Sequence, residues 1–93
     1  MIGITRRLVV RGRVQGVGYR DWAQATAAGL GIRGWVRNRR DLTVEILCIG
    51  PADRIDRFTE LCRDGPIMAL VTDIEVLASD DDGAGGFEVR STL

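Results

Sequence analysis

This 93-residue sequence predicts an α+β sandwich, one largely antiparallel sheet with two helices on a single face. Three observations carry the prediction. Alternating apolar runs and helical stripes follow one another as βαββαβ plus a small closing strand, glycine or proline punctuates most junctions, and the connections are short.

Arg6 to Arg11 alternates, with Leu8 and Val10 on one face, and reads as a strand. Asp21 to Leu30 sets Trp22, Ala23, Thr26, Ala27 and Leu30 on one helical stripe, with Gly31 as its stop. Ile32 to Arg39 and Thr43 to Ile49 are two further strands joined by a turn at Arg40-Asp41-Leu42, the second with Val44, Ile46 and Cys48 on one face. Pro51 suits the first position of a second helix, whose Ile55, Phe58, Leu61 and Cys62 share a face before Gly65-Pro66 ends it. Val71 to Leu77 is a fourth strand, Asp80 to Gly86 an acidic, glycine-rich segment read as a flexible loop, and Phe87 to Arg90 a short last strand. This order predicts a ferredoxin-like βαββαβ sandwich with a four- to five-stranded antiparallel sheet, one domain over residues 1–93.

Composition narrows the function classes. No apolar run approaches the roughly 18 residues of a membrane span, and the opening Met-Ile-Gly-Ile-Thr-Arg-Arg lacks the apolar core of a secretory signal. With two cysteines, Cys48 and Cys62, a disulfide scaffold is not expected and a reducing cytoplasm is. The chain has no histidine, which argues against a structural zinc site. Residues 1–40 hold nine arginines and one acid, Asp21, whereas residues 41–93 hold four arginines and twelve acids. The two halves interleave in the predicted fold and cancel. The rival reading, an RNA-binding sheet, needs aromatic side chains on its central strands for base stacking. Leu8-Val9-Val10 and Val44-Glu45-Ile46-Leu47 have none, so nucleic acid is discounted.

The segment that carries chemistry is Gly12-Arg-Val-Gln-Gly-Val-Gly-Tyr-Arg20, a glycine-rich turn between a strand and a helix. Glycines let successive N–H groups face one point, the helix N-terminus adds partial positive charge, and Arg20 adds a planar fork of donors. That combination fits a tetrahedral oxyanion. Two other motifs fall away. Gly16-x-Gly18 lacks the third glycine of a dinucleotide fingerprint, Asp21 standing there. Cys48 and Arg54 have the spacing of a cysteine phosphatase loop, but Pro51 removes a donor, Asp53 adds negative charge, and Cys48 lies on an apolar strand face. Asn38, taken alone, is equally a turn residue closing a strand.

The same segment, with Gly34-Trp35-Val36-Arg37-Asn38, Val44-Glu45, Gly65-Pro66 and Phe87-Glu88-Val89-Arg90, resembles the acylphosphatase family over nearly the whole chain. The resemblance implies metal-independent hydrolysis of the carboxyl–phosphate bond, with no cofactor. It implies that Arg20 binds phosphate together with the N–H groups of Gln15, Gly16, Val17, Gly18 and Tyr19, and that Asn38 orients the attacking water. Small acyl phosphates are the implied substrates, inorganic phosphate the product and inhibitor, and a monomer the expected state. The alternative is a non-catalytic phosphate- or anion-binding regulatory module on the same fold. The chain departs from the family at Asp41-Leu42, where Asp-Gly is common and leucine is poorly suited to a positive φ, and at Asp21, which lowers the positive potential beside Arg20.

Overall fold

The alternation that marks the first strand extends beyond its clearest apolar pairs. In the computed structural model, which describes residues 3–93, the chain order is β1 (Gly3–Arg13), α1 (Tyr19–Gly29), β2 (Arg33–Asn38), β3 (Val44–Pro51), α2 (Ala52–Asp64), β4 (Leu70–Ala78) and β5 (Phe87–Val89). Met1 and Ile2, which begin the expected 1–93 domain and its N-terminal segment, lie outside the described residues. The sheet order is β4-β1-β3-β2-β5. Four strands pair antiparallel, as expected, but β5 runs parallel to β2 and makes the sheet mixed. The fold is the ferredoxin-like α+β sandwich.

Register fixes which side chains face the helices, because strand residues alternate between faces. Leu8 lies opposite Ile46, Val10 opposite Val44 and Ile74, and Val36 opposite Ile46. These residues form one buried cluster with Ala23 and Ala27 of α1 and with Ile55, Phe58 and Cys62 of α2. Alanines on its buried face let α1 lie close to the sheet, while Phe58 fills the space under α2. Truncating so large a buried aromatic typically costs about 3–5 kcal/mol.

The opposite face carries no helix. There Trp35, Leu47 and Ile49 make a smaller buried cluster, and Glu45 gathers three arginines, Arg37 Nε at 2.7 Å, Arg7 Nη1 at 2.8 Å and Arg39 Nη1 at 3.1 Å. The 80–86 segment, read from sequence as a flexible loop, is instead tied onto this face. Trp35 Nε1 donates to Asp82 at 2.9 Å, Arg33 donates to the Ala84 carbonyl at 2.6 Å and also pairs with Asp81, and Gly34 N donates to the Gly86 carbonyl at 2.8 Å. The guanidiniums of Arg37 and Arg90 lie 4.6 and 5.0 Å from the Trp35 ring centre, within cation–π range.

Most element boundaries shift by a few residues from the sequence reading, and two of these shifts change a residue's role. Pro51 is not the first helical residue: it is the last residue of β3, paired with Gly3, and its extended backbone (φ −59°, ψ 139°) makes it the N-cap of α2. Helix α1 opens at Tyr19, two residues before the predicted start, which places Arg20 in its first turn. No helix among the described residues is long and apolar enough to cross a membrane.

Candidate active site

Where β1 leaves the sheet at Arg13, a β-bulge between Arg11 and Gly12 shifts its register against β4. Val14 is fully buried and anchors the following loop to the core. Gly16 and Gly18 take φ values of 73° and 79°, and a Cβ at either would meet no atom within 4 Å. Glycine is favoured here by backbone conformation, since the surrounding space is open. Val17 turns back to pack against the core. Tyr19 is buried and its hydroxyl donates to the Cys62 carbonyl at 2.6 Å, which joins the start of α1 to α2. Burial pushes its phenol far above the ordinary tyrosine range, so it is a neutral packing residue.

Gly18 caps α1 without a side-chain hydrogen bond, and the first backbone bond is Trp22 N to the Gly18 carbonyl at 3.1 Å. Among the described residues, no protein acceptor takes the N–H groups of residues 15 to 21. Helix N-termini leave such donors free for water, side chains or an anion.

Asn38 is the last residue of β2, paired with Val44 just before the hairpin. The hairpin closes through Arg39 N to the Thr43 carbonyl (2.9 Å) and Leu42 N to the Arg39 carbonyl (3.1 Å). Leu42 itself takes φ 73°, the position that glycine usually fills in a three-residue loop. Asp41 supports the turn by accepting from the Thr43 N–H and hydroxyl. These bonds to Thr43 hold the Asp41 carboxyl below its ordinary range.

A cavity of about 200 Å³ lies between these elements, lined by Val14, Gly16, Gly18, Tyr19, Arg20, Asp21, Asn38 and Val89. Of the residues singled out from sequence, Gly16, Gly18, Tyr19, Arg20 and Asn38 meet there, whereas Gln15 and Val17 do not line it. The Gln15 side chain points to the hairpin instead, donating to the Arg39 and Thr43 carbonyls, each at 2.8 Å. Val14 and Val89 were not foreseen as lining residues. Nothing local marks Val89, which arrives through the parallel pairing of β5 with β2. Asp21 lines the cavity beside Arg20, so the acidic neighbour noted in the sequence belongs to the same site.

The Arg20 guanidinium is half-buried and donates to the Arg90 carbonyl at 3.2 Å. With it, the unbonded N–H groups and the α1 dipole, the cavity suits a small oxyanion. No cluster of three or more histidine, cysteine, aspartate or glutamate side chains suited to a metal occurs among the described residues. Cys48, in the rejected cysteine-phosphatase spacing, is fully buried, and burial pushes its thiol up to about 12. A thiol held protonated in this way is a poor nucleophile.

The family model described as Acylphosphatase matches residues 6–89. An acylphosphatase of Acidiphilium cryptum is 44% identical over 89 residues, covering 96% of this chain and 98% of that protein. One from Nitrobacter hamburgensis is 51% identical over 75 residues, covering 81% and 76%. The crystal structure of acylphosphatase from Bacillus subtilis superposes with a TM-score of 0.90 at 40% identity, covering 94% of this chain and 98% of that one. The chain belongs to the acylphosphatase family.

Proposed function

We propose that the chain hydrolyses the carboxyl–phosphate bond of small acyl phosphates, with Arg20 and the N–H groups of residues 15 to 19 holding the phosphate and Asn38 orienting the attacking water. The observation that carries this reading is that Gly16, Gly18, Tyr19 and Arg20, whose backbone N–H groups take no protein acceptor among the described residues, line one cavity with Asn38. Phosphoryl transfer through a loose transition state demands positioning and charge stabilisation more than covalent chemistry. Each well-aimed donor of this kind is worth about 2.7–4 kcal/mol.

The substrate explains why so few groups suffice. The leaving group is a carboxylate, whose conjugate acid has a pKa of about 4, so it departs at neutral pH without a proton. That removes the need for a general acid, and an activated phosphorus needs no strong base or metal-bound hydroxide. Asn38 offers a carbonyl oxygen to accept from the water and an N–H₂ to direct it. Inorganic phosphate, as product, occupies the same donors and competes with substrate. Cys48 and Cys62 are buried free thiols, as expected of a chain kept in a reducing cytoplasm, and a monomer is the expected state.

The test is hydrolysis of benzoyl phosphate with chelator present, paired with inhibition by inorganic phosphate. Asn38→Ala is expected to lose turnover by about 100-fold or more while keeping phosphate inhibition, as for loss of a group acting only in the transition state. An Asn38→Ala variant that turns over at the wild-type rate removes the water-orienting role. Phosphate binding without turnover in the unaltered chain would favour the regulatory-module reading.

A further inference from the structure

We propose that Gln15 is a positioning residue that sets the separation between the bound phosphate and the water held by Asn38. This inference rests on the functional reading above. In that reading the phosphorus and its nucleophile are held by different parts of the chain. The phosphate belongs to the loop and helix that follow β1, and the water belongs to the end of β2 and its hairpin. The Gln15 amide is the side-chain hydrogen bond that joins the two parts.

Both amide protons of Gln15 are committed. One goes to the carbonyl of Arg39, the residue after Asn38, and the other to the carbonyl of Thr43, which closes the hairpin, both at 2.8 Å. The amide orientation follows, since the reversed amide would set its oxygen against two carbonyl oxygens. The same carbonyls accept Leu42 N and Arg39 N within the hairpin, so Gln15 grips atoms that define the turn. On the loop side, Gln15 stands between Val14, which is fully buried, and Gly16, whose backbone starts the curl of donors. A shift at this bridge would move Asn38 relative to the cradle and leave the cradle's own donors in place. Misplacement of reacting groups by about 1 Å is enough to cost about 100-fold in rate.

The experiment is a double-mutant cycle of Gln15→Met and Asn38→Ala, read as kcat for benzoyl phosphate and as the inhibition constant of inorganic phosphate. Gln15→Met is expected to lower kcat by about 10–100-fold with Asn38 present and by less than about 2-fold with Asn38→Ala. The phosphate inhibition constant is expected to move by less than about 3-fold, because no phosphate donor is lost. Equal loss of kcat in both backgrounds, parallel weakening of phosphate inhibition, or full activity of Gln15→Met each overturns the proposal. An inactive Asn38→Ala beside a fully active Gln15→Met rejects this inference alone, whereas a fully active Asn38→Ala rejects the functional reading with it.

If Gln15→Met does not fold, Gln15→Glu carries the test. At neutral pH its carboxylate opposes both carbonyls and kcat falls. As pH is lowered towards about 4–5 the carboxyl regains a proton and one donor, and kcat relative to wild type is expected to rise. A ratio that stays flat across that range overturns the proposal.

Discussion

The Arg20 guanidinium is aimed by a backbone carbonyl seventy positions away: its Nη1 donates to Arg90 O at 3.2 Å. That carbonyl is itself fixed, because Arg90 N donates to the Val36 carbonyl at 2.8 Å and so continues the parallel pairing of β5 with β2. A neutral acceptor orients the guanidinium while leaving its charge available to an anion. A lysine placed here keeps the charge but loses the planar fork that serves a carbonyl and an oxyanion together.

Arg20→Lys is therefore expected to weaken phosphate inhibition by about 10-fold or more and to lower kcat/KM by about 100-fold or more. Steady-state kinetics with phosphate as inhibitor reads both. A lysine variant within about 3-fold of wild type in both quantities would show that charge alone suffices.

Asp21 brings a negative charge next to Arg20 and is one of the residues lining the cavity that the functional reading gives to a dianion. The side chain is exposed, so solvent and salt screen the repulsion. Asp21→Asn is expected to tighten phosphate inhibition by about 2–5-fold at low ionic strength, the gain shrinking towards none at high salt. Inhibition that is unchanged at low salt would place the carboxylate outside the reach of the bound anion.

Leu42 carries the backbone departure of the hairpin, at φ 73° and 69% exposed as a residue. A non-glycine residue in this region costs about 1–2 kcal/mol. Glycine relieves that cost but adds about 0.5–1 kcal/mol of unfolded-state entropy. Because little side-chain burial is lost, Leu42→Gly is expected to raise Tm by about 2–5 °C, and Leu42→Val, branched at Cβ, to lower it. Thermal unfolding of the three proteins checks the order, and a glycine variant melting below wild type would contradict it.

The elements legible in sequence are those specified by local pattern. Leu8 and Val10, Val44 and Ile46, and Ile55 and Phe58 declare their faces within a few residues, and their register follows. The glycine curl before Arg20 is equally local. What escaped depends on contacts between distant residues. The parallel docking of β5, Val89 in the cavity and the tethering of Asp81 and Asp82 by Arg33 and Trp35 all join positions far apart in the sequence. A Gly/Asp-rich segment has the composition of a flexible loop whether or not such partners exist. The start of α1 was missed by two residues because Tyr19 satisfies its hydroxyl through Cys62, a tertiary contact with no helical signature.

Glu45, held by three arginines on the open sheet face, links folding to acid. Burial pushes its carboxyl up, but the hydrogen bonds from Arg37, Arg7 and Arg39 together outweigh this and leave it below the ordinary glutamate value of 4.5. A carboxyl whose pKa is lower in the folded state than in the unfolded chain stabilises the fold above the unfolded value. That contribution is lost as pH falls through the folded value. Stability is thus expected to decline below about pH 4.5. Glu45→Gln removes the charge that three guanidiniums share, and is expected to cost about 2–3 kcal/mol at pH 7, less than for a fully buried pair because the arginines remain partly solvated. The variant's stability should then fall less steeply in acid than wild type, since one linked proton is gone. Urea unfolding of both proteins at pH 7, 5 and roughly 3.5, spanning the glutamate range, measures the two slopes. Parallel curves would show that the acid limb belongs to other carboxylates, with Asp41, Asp81 and Asp82, each also held below its ordinary value, as the groups to test next.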